Sequence, residues 1–252
     1  MQVDSTLIKT LKTIPLTEDK DLLWSSVRAV TGPHINVRIG VTDGAIQCVM
    51  LTADRNRADF SKSFVRRCNG LVLGYPSWNL LSVPPEMCAP SYNLTHVTNT
   101  IDTYDVYDIR DGTTVTLYSH DGEWCMSTVN GIDVRNYRWT GGLTYAEARQ
   151  EVATLYPEFS FDTLDTNKCY TVGFRHADLH PLKTDPPAMW FIQAYDLVNG
   201  RVLTGANLPD IGIPRQELVE LPALHPAPLR TWLIDQSNNA LADYVARWNI
   251  DD

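Results

Sequence analysis

A chain of 252 residues with 44% hydrophobic and 20% charged residues suits one large or two small globular domains and excludes a disordered chain. Its formal charge of −9, from 21 basic and 30 acidic residues, argues against broad non-specific binding to a nucleic-acid backbone, which depends on surplus Lys and Arg. The polar start MQVDSTLIKTLKTIPLTEDKD has no apolar signal core, and no run approaches the roughly 18 apolar residues of a membrane span, so the sequence reads as intracellular and cytoplasmic.

In chain order, TEDKDLLWSSVRAV (17–30) predicts a helix with Thr17 as its cap, an acidic first turn, an apolar stripe of Leu22, Leu23, Val27 and Val30, and a stop at Gly32-Pro33. Residues 1–33 are therefore expected to be helical. HINVRIGVTDGAIQCVMLT (34–52) alternates Ile35, Val37, Ile39 and Val41, turns at Asp43-Gly44 and resumes with Ile46, Cys48 and Met50, which is a hairpin by period and turn chemistry. SKSFVRR (61–67), extended by RNR (55–57), is the densest basic cluster; its plainest reading is a solvated loop or strand end. Residues 69–85 predict two short strands around Tyr75-Pro76, and residues 106–124 a hairpin through Asp121-Gly122 with a second Asp-Gly pair before it.

LTYAEARQEVATLYP (143–157) is the clearest helix, with Thr144 and Glu147 as a capping box, Ala148, Val152 and Leu155 as a stripe, and Pro157 as terminator. KCYTVGF (168–174), AMWFIQAYDL (188–197) and RVLTG (201–205) predict further strands, and residues 238–249 a closing helix. Hairpins outnumber helical crossovers, so the expected class is α+β with mainly antiparallel sheets and few helices. Cys48, Cys68, Cys88, Cys125 and Cys169 form no C-x-x-C pair and are odd in number, which suits buried thiols better than disulfides or structural zinc. Trp124, Trp190 and Phe191 are expected in the core, and Trp78 and Trp139 as exposed aromatic contacts.

The order RRCNGLVL, a proline-rich connection ending in SYN, YDIRDGTTVTLYSHDGEWCMSTVNG, a helix, CYTVGF and MWFIQAYDLVNGRVL resembles the nucleotidyltransferase domain of ATP-dependent RNA ligases of the phage type, over about residues 66–203. The superfamily also contains DNA ligases and mRNA capping enzymes. The resemblance implies a nucleotidyltransferase (ATP-grasp-like ligase adenylation domain) architecture as a single domain over 1–252, with 206–252 as a C-terminal extension. It also implies the family's chemistry, in which a lysine attacks the α-phosphate of ATP and carries AMP as a phosphoramidate.

The nucleophile position of the K-x-D-G motif falls on Ile109, within Ile109-Arg110-Asp111-Gly112, and isoleucine has no nucleophile. The C-R-G arginine falls on Asn69 before Gly70, the R-P on Val83-Pro84, and the lysine before F-F-N near Ala89 or Pro90 ahead of Ser91-Tyr92-Asn93. The lysines of the K-G turn fall on Thr128 and Asn130 before Gly131, and the glutamate of F-E-F, a metal or ribose contact in the family, falls on Gly173. Ala242-Asp243-Tyr244-Val245 is a faint echo of E-G-Y-V. Positions that shape the fold are kept, while those that would touch phosphate or metal are neutral.

FRHADLHPLKTD (174–185) brings His176, Asp178 and His180 together, but lacks the glutamate of H-E-x-x-H, and Pro181 ends any helix; loop histidines are the expected reading, with no metal site. Arg66, Arg67, Arg175 and His176 are the residues expected to meet a ligand phosphate. The resemblance with its losses implies a non-catalytic RNA ligase-like protein, a binding or scaffold subunit in a viral or phage nucleic-acid complex, located in a host cell or virion. Its expected partners are proteins of that complex; nucleic acid is disfavoured by charge, and no membrane is involved. Two alternatives stay open. One is a divergent active nucleotidyltransferase with a displaced lysine such as Lys62 or Lys168, which would require ATP and Mg2+; the other is a structural virion or assembly protein that binds no nucleotide.

Overall fold

The computed structural model describes residues 5–86, 112–138, 142–179, 186–204 and 207–216. All of these lie in one compact unit, Met1–Ala89 with Arg110–Gln216. The expected closing helix, the Ser91-Tyr92-Asn93 segment, Cys88, Trp139, His180 and Ile109-Arg110-Asp111 lie outside the described residues.

The class is α+β, with antiparallel sheets and few helices, as the hairpin-rich sequence predicts. Strands β1 (Ile35–Thr42), β2 (Ala45–Ala53), β3 (Asn69–Gly74) and β4 (Leu80–Ser82) form a four-stranded sheet in that order. Strands β5 (Thr113–His120), β6 (Glu123–Ser127), β7 (Lys168–Arg175), β8 (Ala188–Asp196) and β9 (Arg201–Leu203) form a five-stranded sheet ordered β6-β5-β7-β8-β9. Every ladder in both sheets is antiparallel. The two Asp-Gly hairpin turns share one geometry: Asp43 and Gly44 have φ of 51° and 82°, and Asp121 and Gly122 repeat those values. Positive φ at both central residues matches the right-handed strand twist, and Asp-Gly accepts it.

The helices are α1 (Ser5–Leu11), α2 (Lys20–Thr31), α3 (Ser63–Arg67) and α4 (Tyr145–Ala153). The cap of α2 is Asp19 rather than Thr17: its carboxylate accepts from the backbone N–H groups of Asp21 and Leu22 at 2.8 and 3.1 Å. Thr17 instead accepts from the Asp19 N–H, one step outside the helix. Leu23 and Val27 are buried on the core face, whereas Leu22 is exposed, because the 100° step per residue puts neighbours on different faces. In α4 the Thr144–Glu147 capping box forms as predicted, with both reciprocal bonds present. The helix ends at Ala153, and Leu155, expected in its stripe, is exposed; Tyr145 takes the third buried position beside Ala148 and Val152.

Two further expectations are corrected. SKSFVRR is not a solvated loop: its last five residues form α3, and Arg67 is buried. Trp78 is not an exposed contact but is 2% exposed, meeting Tyr75 edge to face at 5.6 Å. Tyr75 in turn bonds through its hydroxyl to the backbone of Thr17, tying the start of the chain to the β3–β4 connection.

The core has two parts. One gathers α1, α2 and the four-stranded sheet with Tyr118, Cys125, Cys169 and Tyr195 from the inner face of the five-stranded sheet. The other lies on the outer face, where Val115, Leu117, Met126, Val172, Phe174 and Phe191 pack with Tyr145, Ala148 and Val152 of α4. The five-stranded sheet is therefore covered on both faces. Its burial pattern follows: β7 is buried at six consecutive positions rather than alternating. Cys48, Cys68, Cys125 and Cys169 are free and buried, and burial pushes the thiols of Cys48, Cys68 and Cys169 up to about 12 and Cys125 to about 11, so none is a ready nucleophile.

Candidate functional site

Cross-strand register sorts the inner face of the five-stranded sheet into rows. Tyr118 faces Cys125 and Cys169 faces Tyr195, giving an apolar row. Next to it Ser127, Thr116, Thr171 and Gln193 are paired in succession across four strands, giving a polar row. Beyond that, Thr114, Gly173 and Trp190 are paired in turn. The resemblance puts the nucleotide pocket at this last row.

The polar row is buried, yet its hydrogen bonds are made within the protein. Thr116 and Thr171 share a bond between hydroxyls at 3.1 Å, and Ser127 bonds Ser82 of the opposite sheet at 2.8 Å. Gln193 Nε2 donates to the Val83 carbonyl at 3.4 Å, and the Val83 N–H donates to Cys169 Sγ at 3.2 Å. Val83, near which the resemblance puts the R-P arginine, is fully buried and crosses the row as a clasp. Buried polar groups satisfied in this way stabilise one arrangement of the two sheets.

At the Gly173 row an indole occupies the space. A Cβ built on Gly173 would overlap Cε2, Nε1 and Cζ2 of Trp190. One built on Gly112 would sit 2.5 Å from Trp190 Cη2 and 2.7 Å from the Phe174 carbonyl oxygen, both inside any real carbon contact. The Trp190 ring thus spans Gly112 and Gly173, where the resemblance would put the family glutamate, and it is only 2% exposed. A glutamate at 173 does not fit beside it.

Asn69, at the C-R-G arginine position, begins β3 and donates through Nδ2 to the Pro85 carbonyl at 3.1 Å; its Oδ1 is buried without a partner. Gly70 has φ of 92°, and a Cβ there would lie 2.8 Å from the Thr128 carbonyl oxygen and 2.9 Å from Val129 Cα. The glycine therefore lets β3 touch the turn that carries Thr128, Asn130 and Gly131. That turn is anchored from the four-stranded sheet, with Thr52 donating to the Val129 carbonyl at 2.8 Å and Arg38 donating to the Asn130 carbonyl. Its function is a joint between sheets, and Thr128 and Asn130 offer it no positive charge.

The four residues expected to meet a ligand phosphate have protein partners. Arg67 is ion-paired with Glu86 at 2.8 Å, and Arg66 approaches the same carboxylate at 3.6 Å while donating to the Phe60 carbonyl. Glu86 was not singled out in the sequence, because a lone glutamate 19 residues beyond Arg67 carries no local signal. Arg175, at the end of β7, donates to the Pro186 carbonyl at 3.0 Å. His176 accepts the Asp178 N–H at Nδ1, which leaves the proton on Nε2 facing Glu151 at 3.0 Å. Among the described residues no group of three or more His, Cys, Asp or Glu is placed to hold a metal ion. Nor, among them, is any helix long and apolar enough to cross a membrane.

No family model matches the chain. Two proteins of African swine fever virus isolates from Kenya and Malawi, each named "Putative RNA-ligase", are 34% identical to it over 152 residues. The match covers 52% of this chain and 34% of each relative, so it spans about a third of the relatives' length. Among solved structures, an apo mutant RNA ligase of Naegleria gruberi superposes with a TM-score of 0.36 at 11% identity, over 73% of this chain and 61% of that one, too loosely to assign a fold. Over about half its length the chain is thus similar to viral proteins named "Putative RNA-ligase".

Proposed function

We propose that this RNA ligase-like chain is non-catalytic and acts as a binding or scaffold subunit in a viral nucleic-acid complex, with proteins of that complex as its partners. The observation that carries the reading is Trp190 lying across Gly173 and Gly112. Where the resemblance calls for a glutamate that contacts metal or ribose, the side chain is absent and its space is filled by an indole. Ile109 stands at the nucleophile position in the sequence, and neutral Asn69 and buried Val83 stand at two arginine positions. Positioned charge is what a phosphoryl-transfer site works with, so these replacements together support loss of the reaction rather than a change of substrate.

The displaced-lysine alternative gains nothing from either lysine. Lys168 starts β7, five residues and roughly 17 Å of strand from Gly173, and its ammonium is paired with Asp165. Lys62 is an exposed residue before α3, 3.9 Å from Asp59. The test is a ligation assay with the full chain, 5′-phosphorylated RNA, ATP and Mg2+ or Mn2+. The expected result is neither joined nor adenylylated RNA; either product overturns the reading.

A further inference from the structure

A cavity of about 260 Å³ lies by the outer face of the five-stranded sheet, away from the inter-sheet rows. Leu117, Trp124 and Met126 of the β5–β6 hairpin form one side, Ala146 and Arg149 of α4 another, and Phe161 a third. Ala146 and Arg149 are three residues apart, so the helix presents both to the same space. The walls are largely apolar, and two of them are stacked aromatic rings: Trp124 and Phe161 are 5.9 Å apart with an interplanar angle of 29°.

Two arginines reach this cavity and are treated oppositely. Arg135 is bonded through Nε and Nη2 to Asp133 and through Nη1 to Glu123, and those carboxylates push its pKa up. Arg149 has no carboxylate. Its guanidinium lies 4.4 Å over the Phe161 ring, and its Nε is sealed from solvent with no hydrogen-bond partner. Burial alone pulls its pKa down to about 10, so the charge is kept at neutral pH but is poorly solvated. Arg149 is half-buried, and a sealed guanidinium N–H without an acceptor is costly unless something supplies one. The face of Phe161 offsets part of that cost, and leaves the Nε N–H unmet.

We propose that this cavity binds a small, flat molecule bearing one anionic oxygen group, a carboxylate or a phosphate monoester, with Arg149 pairing the anion and the apolar wall of Leu117, Trp124 and Met126 against the apolar body. Nothing in this site depends on the reading of the inter-sheet cleft, and either can fail without the other. The ligand is smaller than the drug-sized occupants of cavities of about 300–1,000 Å³. Its recognition is a charge-assisted contact beside largely apolar walls, stronger than a contact between neutral groups.

The test is calorimetric titration of the full chain with 2-naphthoate and phenyl phosphate, and with uncharged 2-naphthamide as the control. The expected result is saturable binding of at least one anion, with the amide weaker by about tenfold or more, and a comparable loss in Arg149→Met. The stronger of the two anions identifies the preferred group. No binding of either anion, equal binding of the amide, or unchanged affinity in Arg149→Met overturns the proposal. Should Arg149→Met fail to fold, Ala146→Leu decides, because it narrows the cavity and keeps the charge: lost anion binding supports the site and unchanged binding overturns it.

Discussion

Gly173 lies in a strand, outside the left-handed region that favours glycine, so its backbone would accept alanine. What excludes a side chain is Trp190. Gly173→Ala is therefore expected to destabilise the fold by about 1–3 kcal/mol through overpacking. The same substitution in a Trp190→Leu background is expected to cost much less, because the indole it strikes is gone. Urea denaturation of the four proteins should give a coupling above about 0.5 kcal/mol, and strict additivity would contradict the packing described here. That the resemblance sets Gly173 where the family has a glutamate was legible in the sequence, since it is a residue type at a motif position. Trp190 as its replacement was not. The register shift between Thr171 and Val172 slips the β7–β8 pairing by one, so that Gly173 faces Trp190 instead of Phe191. No property of a single strand announces such a bulge.

At the scale of elements, what could be read was local chemistry. The α4 capping box needs only Thr144 and Glu147 three residues apart, and both hairpin turns need only Asp-Gly between alternating strands. The start of α2 was harder, because Thr17 and Asp19 both cap well and only the chain path chooses between them. Helix α3 went unread for another reason: five residues with two adjacent arginines have no stripe, and Glu86 meets both arginines from beyond the next two strands. The β8–β9 turn is a local device with a pH signature. Asp196 accepts from the side chain of Asn199 at 2.7 Å, and from the backbone N–H groups of Asn199 and Val198 at 2.8 and 3.1 Å, which hold its carboxyl below the usual carboxylate range. A depressed pKa contributes stability above the unfolded value of about 3.9, and that contribution fades as the pH falls through the lower folded value. Asp196→Asn should therefore melt below the parent at neutral pH, and thermal scans in increasingly acid buffers should bring the two melting temperatures together. A constant gap would show that the carboxylate charge is not what holds the turn.

For the whole molecule, the antiparallel α+β class followed from period and turn chemistry, since each hairpin is its own evidence. How the two sheets meet did not. That arrangement rests on Ser82 with Ser127, Gln193 with Val83, and Gly70 against the Thr128–Val129 backbone, contacts between residues 45 to 110 positions apart. On the proposed non-catalytic reading, it would let an RNA ligase-like order of motifs persist without the reacting groups. The kept glycines and the buried polar row join the sheets, and neither depends on phosphate or metal. The acidic net charge is a property of the same scale, and it argues against broad non-specific binding to a nucleic-acid backbone.

The proposed loss of catalysis requires that no nucleotide is carried covalently by this chain. Intact-mass measurement of the full chain after incubation with ATP and Mg2+ or Mn2+ tests it directly. The account predicts one species at the unmodified mass. A species heavier by one adenylate, reverting on acid treatment as a phosphoramidate does, would contradict it.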